Sequence, residues 1–279
     1  RGAKRLRKVI KAGGYDGVIC THLFPAMMVT GLVKKGTVTI PACFVATDYT
    51  ASPGCEKVGL PTITPHPDLT GEFQAVGIPA ENILAYGIPV RSMFTEKTDK
   101  AEAKRKAGLD PERLHMVIMG GSMGCGPMEE ITQLLANSLP AEYDVTVACS
   151  SNRQLLRRMR RKFADRPNIH ICGYISDVSV MMDSADLFLT KPGGISTTEA
   201  MVKGLPMVLV NVVGGCETPN LEFFVSHGGA ATAGDQPEAI AALCKRLLEH
   251  DEERLIMRQS LLAMHKTPAA QAICDCLEA

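Results

Sequence analysis

Residues 186–220 read DLFLTKPGGISTTEAMVKGLPMVLVNVVGGCETPN, in which two apolar runs are separated by a glycine-bearing turn and a helical segment. The apolar run 187–189 predicts a buried strand, and Pro192–Gly194 breaks it before a helical segment begins. Gly204 ends that helix, and a second apolar run at 207–210 predicts the next strand. The stretch therefore predicts a strand–loop–helix–strand unit.

The same alternation of apolar strands and helices fills the rest of the chain. Further strands are predicted at 17–20, 40–46, 83–86, 115–119, 144–149 and 168–172, with helices between them and after Asn220. This alternation predicts parallel sheets covered by helices on both faces. A polar, charged stretch separates two sets of strands, so we expect a partial first domain at 1–94, a linker at 95–112 and a second domain at 113–279.

Composition excludes several classes of function. The 279 residues carry 30 basic and 30 acidic side chains, no tryptophan and only 5% aromatic residues, which argues against a nucleic-acid partner. No apolar run reaches the ~18 residues of a membrane-spanning helix. The ten cysteines include no C-x-x-C pair, so buried thiols in a reducing cytoplasm are predicted, and no metal site.

Two segments are strongly basic. Residues 1–11 carry six Lys or Arg side chains and no acid, with Leu6, Val9 and Ile10 at helical spacing. Either this helix packs on a sheet with a solvated basic face, or it contacts anionic lipid headgroups. The basic segment 153–163 is interpreted as a solvated helix.

Two glycine-bearing turns are candidates for phosphate binding. One is GGSMGCGP at 120–127, between a predicted strand and helix, and the other is the turn at 192–194. Bare backbone N–H groups and the positive end of a helix dipole favour an anion at such turns. The first turn matches neither the P-loop nor the dinucleotide fingerprint, so tight packing is an equal alternative.

Polar side chains at strand ends of the first domain are candidates for acid–base chemistry. His22 follows the first predicted strand and Asp48 follows the second. Open α/β sheets bind ligands at the carboxyl ends of their strands. The alternatives are a structural hydrogen bond for His22 and a turn-forming role for Asp48.

Ordered blocks along nearly the whole chain resemble one family. The blocks are Thr47–Tyr49, Gly87–Arg91 with Phe94, Gly120–Gly124, Lys191–Gly194, Thr198–Ala200, Gly204–Pro206 and Gly215–Asn220. They resemble the monogalactosyldiacylglycerol synthase and processive diacylglycerol glucosyltransferase family, with the peptidoglycan lipid-intermediate glucosaminyltransferase as a more distant relative. The resemblance implies an α/β protein of the GT-B fold, with two Rossmann-like domains facing a cleft and the first domain truncated at its N-terminus. It also implies an inverting, metal-independent hexosyltransferase without a cofactor, whose co-substrate is a UDP-sugar.

The resemblance implies roles for individual residues as well. The diphosphate would be held by Gly121, Ser122, Gly124, Gly193, Gly194 and Ile195. Glu199 would accept hydrogen bonds from the ribose, although Ser196-x-x-Glu199 also matches a helix capping box. Backbone groups of Ile175 would meet the uracil edge. Glu217 and Asn220 would bind hydroxyls of the donor sugar, and a first-turn acid favoured by the helix dipole is the alternative for Glu217.

The chain departs from the family pattern at several positions. Cys216 replaces a usual glutamine, which leaves the sugar preference open, and Ser151 replaces a common glycine. Ser52 and Cys55 replace an aromatic residue and a histidine, which leaves the acceptor open. The family's glycine-rich loop ending in histidine, which is associated with acceptor activation, would precede Arg1.

We therefore expect transfer of a hexose from a UDP-sugar to a lipid hydroxyl such as that of diacylglycerol, with Asp48 or His22 as the candidate base. The expected location is cytoplasmic, peripheral on the inner face of the cell membrane, with an anionic membrane surface as a partner. Two alternatives are a UDP-sugar 2-epimerase, which would act on the donor alone, and a nucleotide-sugar-binding fragment without catalysis.

Overall fold

The computed structural model describes residues 2–120, 127–210, 217–265 and 268–278. The chain divides into two compact units. The first unit consists of Arg1–Val90 together with Lys266–Ala279, and the second consists of Arg91–His265.

The first unit is built on a four-stranded parallel sheet. Its strands are β1 (Val18–Cys20), β2 (Ala42–Val45), β3 (Thr62–Ile63) and β4 (Ile83–Leu84), paired in that order. The helices of its N-terminal part are α1 (Gly2–Gly13), α2 (Leu23–Lys34) and α3 (Thr70–Ala75). Within the described residues β1 forms one edge of the sheet, and its Ile19 is 47% exposed.

The second unit is built on a six-stranded parallel sheet. Its strands are β5 (His115–Met119), β6 (Asp144–Ala148), β7 (Ile169–Cys172), β8 (Leu187–Thr190), β9 (Met207–Leu209) and β10 (Ala230–Ala231). They lie in the order β10-β9-β8-β5-β6-β7, so the direction of the strand order reverses between β8 and β5. In doubly wound sheets that reversal marks the crevice in which ligands bind.

Helices cover this second sheet and complete the chain. They are α4 (Ser92–Thr95), α5 (Lys100–Lys106), α6 (Met128–Ser138), α7 (Arg153–Lys162), α8 (Val178–Ser184), α9 (Gly194–Lys203), α10 (Glu217–Ser226), α11 (Pro237–Glu249) and α12 (Asp251–Met264). The last helix, α13 (Ala269–Glu278), belongs to the first unit. It packs there because its Ile273 joins the apolar cluster of Cys43, Val45 and Ile63 on the first sheet.

The division of the chain differs from the sequence-based one in two respects. The boundary falls after Val90, and α13 lies with the first unit and not the second. The stretch 95–112 contains α5, which packs against α8. Its Lys104 is buried, donates to the carbonyl of Arg113 at 2.5 Å and lies 3.1 Å from the Asp186 carboxylate. The charged run therefore includes a buried ion pair whose partner is distant in sequence.

Two strands, β3 and β10, were not predicted from the sequence. β3 lies in a proline-rich loop between Pro61 and Pro65 and has only two residues. β10 (Ala230–Ala231) lies between two of the helices predicted after Asn220, in a stretch for which no strand was predicted. Both strands are defined by pairing with a neighbouring strand, because neither short segment has a strong β pattern of its own.

The two basic segments differ in their surroundings. In α1, Ile10 packs with Leu32 of α2, while Val9 is exposed. In α7, Arg158 and Lys162 form ion pairs with Glu129 of α6, the latter at 3.1 Å. Within residues 2–120, 127–210, 217–265 and 268–278, no helix combines the length and apolar character needed to cross a bilayer.

Candidate functional site

The two glycine-bearing turns begin side by side in the second sheet. β5 and β8 are parallel neighbours, and Met119 is paired with Thr190. The chain therefore leaves both strands at the same edge, where the strand order reverses. This is the edge at which an α/β sheet binds its ligand.

The structure describes some of the residues predicted to bind the diphosphate but not all of them. Gly121, Ser122 and Gly124 lie outside the described residues, so their role in binding the diphosphate stays a prediction. Cys216 also lies outside them, and its effect on the sugar preference stays a prediction too. Gly193, Gly194 and Ile195 form the start of α9, which follows β8 directly.

The start of α9 presents backbone N–H groups. Gly193 is the N-cap residue and provides no side-chain cap, and the first intrahelical bond here is from Thr197 N to the carbonyl of Gly193 at 3.1 Å. The N–H groups of Gly194 and Ile195 therefore have no intrahelical acceptor. Together with the positive end of the helix dipole, this geometry favours an anion at this turn.

A lysine lies over the same turn. A Cβ atom on Gly193 would lie 3.4 Å from Nζ of Lys191. Because residue 193 is glycine, this face of the ammonium group is not covered by a side chain. The Lys191 ammonium also forms an ion pair with Glu217 at the first position of α10.

Glu217 and Asn220 connect α10 to this turn. Oε1 of Glu217 contacts Lys191, whereas Oε2 is buried and has no hydrogen-bond partner among the residues that the structure describes. Nδ2 of the fully buried Asn220 donates to the carbonyl of Pro192 at 2.9 Å. Among the described residues, Oε2 of Glu217 is thus a buried acceptor to which no donor is bonded. Glu217 also lies in the first turn of α10, so the helix-dipole interpretation remains open beside sugar binding.

Glu199 lies in the second turn of α9. Helix α9 begins at Gly194, so Ser196 is its third residue and not its N-cap, and the capping-box alternative is wrong. The Glu199 side chain is 12% exposed, and its Oε1 lies 3.8 Å from Nη2 of Arg91. Burial raises the pKa of Glu199 to about 7, and the nearby Arg91 guanidinium acts in the opposite direction.

Ile175 follows β7 in the loop that leads to α8. Its side chain is half-buried, whereas the neighbouring Tyr174 is largely exposed. Asp177 caps α8 by accepting from the N–H of Val180 at 3.1 Å, as the sequence indicated. Contact of the Ile175 backbone with uracil stays a prediction.

The candidate bases lie at the carboxyl edge of the first sheet. Cys20 of β1 is paired with Phe44 of β2, so His22 and Asp48 follow adjacent parallel strands. Nδ1 of His22 accepts from the N–H of Phe24 at 3.2 Å and so caps α2. This bond confirms the structural alternative for His22. Asp48 is half-buried in the loop after β2.

Two side chains near Glu199 and Gly193 had no role in the sequence analysis. Lys191 and Arg91 belong to the sequence blocks that resemble the family, but no function was predicted for either residue. The position of Lys191 between a strand and a glycine turn is a signal that could have found it. The contact of Arg91 with Glu199 joins segments far apart in sequence, so no local pattern indicates it.

Solved structures of two proteins share this fold. MurG from Acinetobacter baumannii has a TM-score of 0.70 at 17% identity, covering 99% of this chain and 77% of that chain. The UDP-GlcNAc 2-epimerase from Neisseria meningitidis, solved with bound UDP-GlcNAc, has a TM-score of 0.73 at 15% identity, covering 99% and 80%. The protein is an α/β protein of the GT-B fold, which confirms the predicted fold class.

Family comparisons agree with the fold. Residues 110–261 match the family Glycosyl transferases group 1, and residues 1–90 match Monogalactosyldiacylglycerol (MGDG) synthase. The chain belongs to the family Glycosyl transferases group 1. A relative from Staphylococcus carnosus, a processive diacylglycerol beta-glucosyltransferase, is 31% identical over 242 residues, covering 83% of this chain and 59% of the relative. The chain spans about 60% of the length of the first curated relatives that it matches.

Proposed function

We propose that this chain carries the donor site of a glycosyltransferase that moves a hexose from a UDP-sugar to a lipid hydroxyl such as that of diacylglycerol. The observation that carries the proposal is the arrangement around α9. There, a glycine helix start and Glu199 lie on α9, and the ammonium group of Lys191 just before this helix pairs with Glu217 at the start of α10; both acids are largely buried. The likeness to a diacylglycerol glucosyltransferase of Staphylococcus carnosus supports the lipid acceptor.

Each group at α9 matches one part of a UDP-sugar. The diphosphate binds at the N–H groups of Gly193–Ile195 and the ammonium group of Lys191. Glu199 accepts hydrogen bonds from the ribose hydroxyls. The unused oxygen of Glu217 accepts from a hydroxyl of the sugar. Fixed N–H dipoles and one lysine stabilise the negative charge of the leaving UDP, so the transfer proceeds without a metal or cofactor.

The transfer inverts the anomeric carbon. The acceptor oxygen attacks C1 of the hexose from the face opposite UDP, and the bond from C1 to the β-phosphate oxygen breaks. The electron pair of that bond leaves on UDP, and the acceptor proton passes to a base. His22 accepts a backbone N–H at Nδ1, so its neutral ring carries its proton on Nε2. Asp48 is therefore the better candidate base of the two.

The lipid acceptor requires access to a membrane surface. Helix α1 carries a cluster of basic side chains, and the first unit exposes the apolar side chains of Val9, Tyr15 and Phe24. Basic residues attract anionic headgroups, and exposed apolar side chains insert among them. We place the protein peripherally on the cytoplasmic face of the cell membrane on these grounds.

Nucleotide binding and turnover test separate parts of this proposal. In calorimetry the chain is expected to bind UDP, and Glu199→Gln to weaken binding by about 10- to 100-fold, since a bond to a charged group is lost. Glu253→Gln on α12 is the matched control. Absence of UDP binding by the unaltered chain would reject the proposal.

Turnover is measured as UDP release from several UDP-sugars over vesicles that contain diacylglycerol and an anionic phospholipid. Release that depends on diacylglycerol is the expected result. A new sugar nucleotide formed from the donor alone would favour the 2-epimerase alternative, whose fold this chain also shares. Binding of UDP without turnover in either assay would favour a nucleotide-sugar-binding fragment.

A further inference from the structure

Arg91 is the first residue of the second unit and the N-cap residue of α4. Its guanidinium carbon lies 5.1 Å from the centre of the Phe94 ring, and Phe94 is fully buried. A planar guanidinium group is held well against an aromatic face, partly by the charge–quadrupole attraction. The buried ring thus gives the arginine a fixed support although its own side chain is 60% exposed.

The same guanidinium group faces the donor helix. Nη2 of Arg91 lies 3.8 Å from Oε1 of Glu199, and α4 packs against α9. This distance is an ion-pair contact and too long for a hydrogen bond. The lone pairs of the carboxylate therefore remain available to a ligand while the positive charge stays close.

We propose that Arg91 is a positioning residue for the nucleotide donor, which favours the carboxylate form of Glu199 and holds it towards the ribose. The inference rests on the proposed function, in which Glu199 grips the ribose hydroxyls. In this role Arg91 determines how strongly Glu199 binds the ribose, and Arg91 itself does not contact the nucleotide.

The electrostatics of Glu199 support this role. Burial raises the pKa of Glu199 to about 7, and among the residues that the structure describes Arg91 is the cation that opposes this rise. Without the arginine, burial acts alone, and the carboxyl group is protonated at neutral pH. A protonated carboxyl group carries no charge and uses one oxygen as a donor, so it accepts hydrogen bonds from the ribose hydroxyls more weakly than the carboxylate does.

Other charged groups near α9 lie at its two ends, and the ion pair of Lys191 with Glu217 lies at its start. Asp183 of α8 pairs with Lys203 in the last turn of α9 at 2.7 Å. Arg258 of α12 lines a cavity beside Lys203. Within the described residues, Arg91 is the one cation in an ion pair with Glu199.

The test measures UDP affinity by calorimetry between pH 5.5 and pH 9. For the unaltered chain, affinity is expected to rise as Glu199 ionises. For Arg91→Met, the midpoint of this rise is expected to move up by about one pH unit, because an opposite charge at this distance is removed. Affinity at pH 7 then falls by about 5-fold and recovers towards pH 9. Arg246→Met is the matched control, since Arg246 is 56% exposed and pairs with Glu253 at 3.4 Å.

A double-mutant cycle separates positioning from direct contact. In the Glu199→Gln background, Arg91→Met is expected to cause no further loss of affinity, because Arg91 acts through the carboxylate. An equal loss in both backgrounds would overturn the inference. So would a loss of affinity in Arg91→Met that is the same at every pH, since that result indicates a structural role.

Titration of the Glu199 carboxyl group by carbon NMR in the protein without nucleotide tests the arginine separately from donor binding. A higher pKa in Arg91→Met than in the unaltered chain is expected, and an unchanged pKa would overturn the inference. If the chain binds no UDP at any pH while the pKa shifts as expected, the proposed function fails and the effect of Arg91 on Glu199 stands.

Discussion

Nδ2 of Asn220 donates a 2.9 Å hydrogen bond to the carbonyl oxygen of Pro192, which joins the first turn of α10 to the turn before α9. Both partners are buried, so the bond holds two segments of the candidate site together in a place that water does not reach. The turn that presents Gly193 and Gly194 is therefore fixed from the side, and its N–H groups are oriented before any ligand arrives.

Removal of this hydrogen bond should cost stability. Asn220→Ala leaves the Pro192 carbonyl unsatisfied and opens a small cavity, so we expect the free energy of unfolding to fall by about 1–3 kcal/mol. Urea unfolding measures the change. Asn137→Ala is the control, because Asn137 is exposed and its side chain bonds at the surface with Gln133 and Arg166. Equal destabilisation by the two variants would show that the Pro192 bond has no special role.

Lys191 should discriminate between UDP and uridine. Lys191→Met removes the ammonium group that lies over Gly193, so we expect UDP affinity to fall by about 10- to 100-fold. Uridine, which lacks the diphosphate, should bind as before. Calorimetry with both ligands checks this, and Lys245→Met on α11 serves as the control. Similar losses for UDP and uridine would mean that Lys191 supports the site only through Glu217.

Because burial raises the pKa of Glu199, a substitution that removes its charge should stabilise the folded chain at high pH. A carboxyl group with a raised pKa in the folded state favours folding while it is neutral. This contribution is lost as pH rises from the ordinary value of 4.5 to about 7. The loss is at most about 3 kcal/mol. Glu199→Gln without nucleotide should therefore be more stable than the unaltered chain at pH 8, while binding UDP less tightly. Thermal unfolding at pH 8 and at pH 4.5 measures the difference, which should vanish at the lower pH.

His115 predicts a change of stability of the opposite sign. This residue is fully buried between Ser184 and Thr146, and Nε2 lies 2.8 Å from the hydroxyl of Thr146. Burial lowers the pKa of His115 from 6.5 to about 4. Its neutral form therefore contributes stability above pH 6.5 that is lost as pH falls towards 4, by at most about 3 kcal/mol.

The effects of His115 and Glu199 overlap in pH and oppose each other. The unaltered chain should therefore show a shallow dependence of stability on pH between 4.5 and 6.5. Glu199→Gln removes one of the two effects, so its stability should decline more steeply with acidification. Urea unfolding at half-unit pH intervals compares the two slopes, and parallel slopes would contradict the assignment.

The sequence predicted the frame of the second unit well and its charged contacts poorly. Strands β5, β6 and β8 are apolar runs that end in glycine or polar residues, and buried parallel strands have that pattern. The two-residue strand β10 has no such pattern, because its neighbour β9 defines it. The buried state of Lys104 also has no local signal, since its partner Asp186 precedes a distant strand.

The sequence also identified a residue of the candidate site without revealing its contacts. Glu199 was found through the family resemblance, and its place in the second turn of α9 explains why it lies near the turn at 192–194. Its raised pKa depends on burial, which a sequence block does not reveal. The contact with Arg91 depends on the packing of α4 against α9, which only the folded chain supplies.

The position of β1 at the border of its sheet has a practical consequence for handling the isolated chain. One side of Val18–Cys20 has backbone N–H and C=O groups without a neighbouring strand among the described residues, and Ile19 adds exposed apolar surface. Such a border is a template on which a second molecule can add its own strand. Concentrated solutions should self-associate through this border, and Ile19→Lys should suppress the association in light scattering.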